Sequence, residues 1–213
     1  MEQQKLLDYL KTIETPHIVD AMKENRGEMN SAIQAMVPGV RMVGPAFTVD
    51  AYTESVISSH KAMQEVKAGD VIVIDGKGAL TGALWGECIT LEAVSKGVAG
   101  VVVDGAVRDI GEIRAQGFPV FARCHTPRAG TNRRVGFTSV PVTCGAVLVN
   151  PGDIVVGDDE GIVVIPVSRL EAVVKEVREV IEKEAYWKEQ IRAGVSLAKT
   201  IGLLDLIYPE KLK

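Results

Sequence analysis

Three short apolar runs, separated by segments with helical spacing, constrain the fold more than any other feature of the chain. Val71-Ile-Val-Ile, Gly100-Val-Val-Val-Asp104 and Pro119-Val-Phe-Ala122 are too short for buried helices. Being continuously apolar, they fit strands covered on both faces. Leu84 to Lys96 has helical spacing, with Leu84, Cys88, Leu91 and Val94 expected inward and Gly97 as the stop. Asp109 to Gln116 reads as a short helix closed by Gly117. The β-α-β-α-β order predicts a parallel sheet with right-handed crossovers. Upstream, Val40 to Tyr52 reads as a strand, and Val56, Ile57, His60, Met63 and Val66 give the next stretch a helical period. Asp75 to Gly86 and Gly105 to Arg108 read as loops.

The two ends follow other patterns. Glu2 to Leu10 reads as a helix. Thr15-Pro16 reads as an N-cap followed by proline at the first helical position of a second helix, ended by Gly27. From Arg134 to Pro166 short strands alternate with the turns Asn150-Pro-Gly-Asp and Asp158-Asp-Glu-Gly, predicting an antiparallel β half. Ser168 and Glu171 have capping-box spacing and open the longest helix, about 168–193. Its apolar stripe is Leu170, Val173, Val174, Val177 and Ile181. The tail 197–213 carries Ile201, Leu203, Leu204, Leu206 and Ile207, a patch expected to dock, on a neighbouring subunit for instance.

Composition narrows the function. At 213 residues and 46% apolar, the chain is expected to form one domain over 1–213. A net charge of -4 supplies no general pull toward nucleic acid, which is not an expected partner. No run reaches the roughly 20 apolar residues of a membrane span. The opening MEQQKLLDYLK is charged and amphipathic, so the expected location is cytoplasmic. Cys88, Cys124 and Cys144 lack C-x-x-C spacing, and His17, His60 and His125 are scattered, reading as surface or capping histidines.

In a parallel α/β sheet, ligands sit beyond the carboxyl ends of the strands. Two segments occupy that position. The first holds Gly76, Gly78, Gly82 and Gly86, but Thr81 stands where a dinucleotide fingerprint has its third glycine. Its glycines would let the backbone approach a ligand, with the following helix start supplying free N–H groups; a plain chain reversal fits equally. The second carries Arg108-Asp109 directly after a buried strand. Arginine there can fork onto a carboxylate and aspartate can hold a divalent cation, or Asp109 caps a helix and Arg108 faces water. Glu87 could deliver an acid to the same cleft, or favour its helix dipole. Glu184 falls near the apolar stripe of the long helix, aimed at a metal or an arginine or else reaching water from the stripe edge. Arg123, Arg128, Arg133 and Arg134 form a basic cluster that reads first as solvated loop.

Gly82-x-x-x-Gly86-Glu87 followed by Val101-Val-Val-Asp-Gly-Ala-Val-Arg108-Asp109 resembles the family of class II 4-hydroxy-4-methyl-2-oxoglutarate (HMG) aldolases and regulators of ribonuclease activity A. Val43-Gly-Pro-Ala-Phe-Thr-Val, Phe118-Pro-Val-Phe-Ala-Arg and the stretch from Asn150 to Pro166 are similar to further family segments. The resemblance implies an α/β fold, a β/β/α sandwich like the phosphohistidine swivelling domain, in homotrimers or homohexamers. It implies Asp109 as a ligand of Mg²⁺ or Mn²⁺ and Arg108 as the residue contacting the oxo acid and stabilising enolate charge. It implies Glu87 as an acid near metal-bound water, and Gly86, Cys88 and Ile89 as the substrate-binding turn. From a C-terminal helix of an adjacent subunit it implies a further glutamate, Glu184 first and Glu182 second. The implied activity is cleavage of HMG to two pyruvates, with oxaloacetate decarboxylation at the same site. The alternatives are a regulator that binds ribonuclease or RNA-processing partners, and a lyase for another 2-oxo acid. Retention of the long helix and of Glu87, Arg108 and Asp109 favours the enzyme.

Overall fold

The computed structural model describes residues 2–24 and 27–209. The chain opens with helices α1 (Glu2–Leu10) and α2 (Thr15–Met22), a short strand β1 (Gln34–Ala35) and the strand β2 (Met42–Asp50). Helix α3 (Ile57–Glu65) precedes β3 (Val71–Trp85), α4 (Glu87–Ser95), β4 (Gly100–Val107), α5 (Ile110–Gln116) and β5 (Val120–His125). Then come β6 (Phe137–Thr138), β7 (Val142–Cys144), β8 (Val147–Val149), β9 (Ile154–Asp158) and β10 (Gly161–Ile165). A 3₁₀ turn leads into α6 (Leu170–Arg192), followed by α7 (Leu197–Thr200) and α8 (Leu204–Ile207).

The main sheet runs β1-β5-β4-β3-β2-β9-β10, with β6 paired to β2. Strands β2, β3, β4 and β5 are mutually parallel, as the β-α-β-α-β order requires. Strands β9 and β10 extend the sheet antiparallel beyond β2, and β7-β8 form a separate hairpin. Strand alternation divides the interior into layers. Ile72, Ile74, Val101 and Val103 pack with Met63, Ile89, Ala93 and Ile113 of α3, α4 and α5. Their neighbours Val71, Val73, Val102 and Phe121 pack with Val142, Cys144, Val155 and Val164 of the β half. Ile154, Val156, Val163 and Ile165 face Leu10, Ile18 and the Leu170–Val177 stripe of α6. Each of the Val, Leu, Ile, Met and Phe side chains among them contributes about 1.5–3 kcal/mol relative to exposure. This is the α/β, β/β/α sandwich with a long C-terminal helix that the sequence predicts.

Several local expectations are corrected. Asp75 to Gly86 is not a loop, because β3 runs to Trp85. It leaves regular register after Ile74 and rejoins β4 at Ala79↔Gly105, Ala83↔Ala106 and Trp85↔Val107. The excursion turns through Lys77 (φ 59) and Gly78 (φ 69), and a Cβ at Gly76 would lie 2.7 Å from Asp104 O. Nor is 105–108 a loop, since β4 extends through Val107. The buried face of α4 is Ile89, Thr90 and Ala93, while Leu91 and Val94 are exposed. Leu84 belongs to the strand, so the helix starts three residues later and its phase shifts. The Ser168–Glu171 capping box does not form: the helix enters from a 3₁₀ turn and Arg169 takes the cap position without a side-chain cap bond.

Thr15 is likewise not the cap of α2; Glu14 holds that place. Thr15 donates from N (2.8 Å) and Oγ1 (2.7 Å) to the buried Asp158, which also accepts from Arg41 Nη2 at 3.0 Å. The helix stops at Met22 rather than Gly27, with Lys23 at φ 56. No helix among the described residues is long and apolar enough to cross a membrane.

Candidate active site

Strands β3 and β4 end side by side. Trp85 pairs with Val107, and Arg108 N donates to Trp85 O at 3.0 Å. Gly86-Glu87 and Arg108-Asp109 therefore leave the sheet together. Asp109 adopts left-handed backbone (φ 58, ψ 43) at the head of α5, a conformation aspartate accepts better than most side chains. It makes no side-chain cap bond there, so it is not serving as an ordinary cap. Its carboxylate turns instead toward Arg108 Nε (2.9 Å to Oδ1, 3.1 Å to Oδ2) and accepts from Glu87 N at 3.2 Å. A Cβ at Gly86 would lie 2.8 Å from Asp109 Oδ2 and 3.0 Å from Arg108 Cγ, so only glycine leaves room for the pair.

The arrangement leaves donors without partners among the described residues. Arg108 uses Nε on Asp109, and among the described residues its two terminal nitrogens make no hydrogen bond. In the first turn of α4, the Cys88 and Ile89 amides find no acceptor among the described residues. A planar cation beside free helix-start N–H groups is suited to a carboxylate and an adjacent oxo oxygen. These groups line an open cleft of about 280 Å³ with Glu87 and Asp109.

The cleft also recruits Val56, which caps α3, His60 of α3 and Ala129-Gly130. His60 is exposed, as the sequence suggests, but no local pattern in the sequence places it at this cleft. Ala129 and Gly130 carried no signal. They are stitched to β3 by Ala83 N to Arg128 O (3.0 Å) and Gly130 N to Ala83 O (2.9 Å), contacts between remote segments.

Glu184 is placed elsewhere within the chain. It lines a groove between α1, α2 and α6 with Tyr9, His17, Ile181 and Lys188. Its Oε2 accepts from Lys188 Nζ at 2.9 Å and lies 3.2 Å from His17 Nε2. Lys188 first, and His17 after it, hold the carboxyl below the usual glutamate range against the opposing effect of burial. Glu182 is exposed. The arginine cluster does not act as one unit: Arg123 is ion-paired with Asp104, and Arg134 stacks over Tyr52 at 5.4 Å.

The donor set can be weighed against a metal. Among the described residues no group of three or more His, Cys, Asp or Glu side chains could hold an ion. The Asp109 carboxylate is 28% exposed and stands at the cleft with Glu87. One or two carboxylates completed by water and substrate oxygens is how Mg²⁺ is commonly held, so these residues fit a hard divalent cation.

Known proteins bear on this geometry. A family described as RraA-like, Aldolase/RraA, matches residues 15–164. A Halalkalibacterium halodurans protein named "Putative 4-hydroxy-4-methyl-2-oxoglutarate aldolase" is 40% identical over 168 residues, 79% of this chain and 80% of its own. A solved Pseudomonas syringae structure of an uncharacterized protein superposes with a TM-score of 0.82 at 31% identity, covering 92% of this chain and 96% of that one. The RNA-processing inhibitor RraA from Thermus thermophilis superposes with a TM-score of 0.65 at 30% identity, covering 72% and 93%.

Proposed function

Because the chain belongs to the Aldolase/RraA family, we propose that it is a divalent-metal-dependent carbon–carbon lyase for small 2-oxo acids. The proposed reaction is cleavage of HMG to two pyruvates. The observation that carries this reading is Arg108: Asp109 holds its Nε, its terminal nitrogens make no hydrogen bond among the described residues, and it lines the cleft with Cys88 and Ile89, whose amides find no acceptor there. The name of the Halalkalibacterium relative supports the same substrate.

Asp109, with Glu87 nearby, would hold Mg²⁺ or Mn²⁺, which when bound supplies a Lewis acid for the oxo-acid end of the substrate. The Cys88 and Ile89 amides bind the 1-carboxylate. Glu87, acting through water, accepts the proton of the C4 hydroxyl. The C3–C4 bond then breaks, its electron pair passing to C3 and the 2-oxo oxygen, and the released fragment is pyruvate. Arg108 stabilises the enolate oxygen left behind, and a proton returned to C3 gives the second pyruvate. Oxaloacetate decarboxylation needs the same enolate stabilisation and is expected as a side activity.

Glu184 cannot take part from its own chain, where it sits in another groove. We propose homotrimers or homohexamers, in which a neighbouring copy's α6 approaches the cleft. The exposed Leu203, Leu206, Ile207 and Tyr208 of the tail supply apolar surface for that assembly.

Pyruvate release from HMG, coupled to lactate dehydrogenase with Mg²⁺ and with chelator, tests the reading. Metal-dependent release supports it. Absence of release with metal present sinks the HMG assignment and leaves another oxo acid or a binding regulator. Arg108→Lys should lose about 10²-fold or more in turnover, because an ammonium cannot hold Asp109 and an oxyanion together. Near-normal turnover by that variant would remove Arg108 from its role.

A further inference from the structure

We infer that His60 is the distal recognition group of the cleft, donating to the far carboxylate of a dicarboxylic 2-oxo acid whose other end is held by Arg108 and the α4 amides. This deepens the lyase reading and rests on it. The polar side chains of the cleft are few. Glu87 and Asp109 are carboxylates and repel a second one, Arg108 is used at the near end, and the Cys88 thiol is a weak donor. Trp85 Nε1 is committed to Thr90 Oγ1 at 2.8 Å. Val56, Ala83, Ala129 and Gly130 offer no polar side chain. The imidazole of His60 is left; it is exposed and has no hydrogen-bond partner among the described residues.

The position of His60 is built rather than incidental. The residues before it on α3 are both buried serines. Ser59 Oγ donates to Leu84 O at 2.7 Å, on the strand end that delivers Gly86 and Glu87. Ser58 Oγ accepts from Gly136 N at 2.9 Å. The turn carrying His60 is therefore tied to the same backbone as the opposing anchor, which fixes the separation between the two ends of a bound ligand.

The test uses two five-carbon ligands that lack a C4 hydroxyl and so cannot be cleaved: 2-oxoglutarate, and 2-oxovalerate, which differs in lacking the far carboxylate. Affinity is read by calorimetry on the Mg²⁺-loaded protein. Wild type is expected to prefer 2-oxoglutarate by roughly tenfold or more, the worth of one hydrogen bond to a charged group. His60→Leu should erase that ratio and His60→Gln should keep part of it. Arg108→Ala should weaken both ligands and leave the ratio standing. Equal affinities in wild type, or an unchanged ratio in His60→Leu, overturn the assignment. If wild type cleaves HMG while His60→Leu keeps the ratio, the His60 assignment fails and the lyase reading stands. If wild type binds neither ligand and releases no pyruvate, the lyase reading fails and takes this assignment with it.

Discussion

At the scale of single residues, the site depends on one close approach. Gly86 has extended backbone that any residue can adopt (φ -163), so its requirement is space rather than conformation. In Gly86→Ala the new Cβ meets the end of the Asp109 side chain at 2.8 Å, and that side chain can swing away cheaply. We expect a thermal midpoint close to wild type and a turnover loss of roughly 10²-fold, the scale of losing one preorganised electrostatic contact. Retained turnover in a folded Gly86→Ala would mean that the Asp109–Arg108 geometry is not needed. Asp109 separates backbone from charge. Asparagine also tolerates left-handed backbone, so Asp109→Asn should keep stability and lose Mg²⁺-dependent activity, whereas Asp109→Ala should also cost about 1 kcal/mol through its φ of 58. Equal melting of the two variants would contradict that split. Arg108-Asp109 stood out as a charged pair after a buried strand, and Glu87 as the acid opening the helix after the glycine-rich segment; the structure brings all three to one cleft. His60 was not legible as a cleft residue, because it reaches the cleft from another helix, and no local pattern records which strand end α3 packs against.

Elements were legible where burial is uniform and obscured where glycine and polar residues interrupt it. The apolar cores of β3, β4 and β5 were readable from continuous Val/Ile runs, and the Leu170–Val177 stripe from its period. The extension of β3 to Trp85 was not, since Gly76, Lys77 and Gly78 look like a chain reversal. They are instead an excursion from which Ala79, Ala83 and Trp85 return to the ladder. The buried face of α3 was hidden for a related reason: Ser58 and Ser59 are fully buried, their hydroxyls satisfied by remote backbone. Ser59→Ala leaves the Leu84 carbonyl without its donor and should cost about 1–3 kcal/mol in chemical denaturation. The polar contact of Glu184 on α6 with His17 on α2 is weaker and depends on pH. Lys188 and His17 lower the folded-state pKa of Glu184. Its stabilisation is therefore present above the ordinary glutamate pKa and fades as pH falls through the lowered value. Glu184→Gln should lose less than about 1 kcal/mol near pH 7, and the difference from wild type should shrink as pH falls below the ordinary glutamate pKa and vanish below the lowered folded-state one. A difference that persists or grows in acid would mean that packing, not charge, is the contribution.

Across the whole molecule, the three cysteines sample three depths and report on different events. Cys144, on β7, packs with Val73 and Phe121 of the main sheet and is fully buried. Burial, with the Asp104 and Asp75 carboxylates adding to it, raises its thiol well above the ordinary range. Burial therefore disfavours its thiolate in the folded state. Cys88 is exposed on the first turn of α4 at the cleft, and Cys124 is intermediate on β5. A disulfide-exchange reagent should therefore modify Cys88 within the native state, and Cys144 at a rate set by global opening. Mg²⁺ with 2-oxoglutarate should slow modification of Cys88 by covering the α4 turn. If the ligand also raises global stability by mass action, Cys144 should slow in proportion to the shift in the unfolding midpoint. Cys88 protection without any change at Cys144 would place the ligand in the cleft with little coupling to the interlayer core. Fast native-state modification of Cys144 would show that the hairpin opens independently of the sheet, contrary to the single packed interior in which Cys144 sits with Val73 and Phe121.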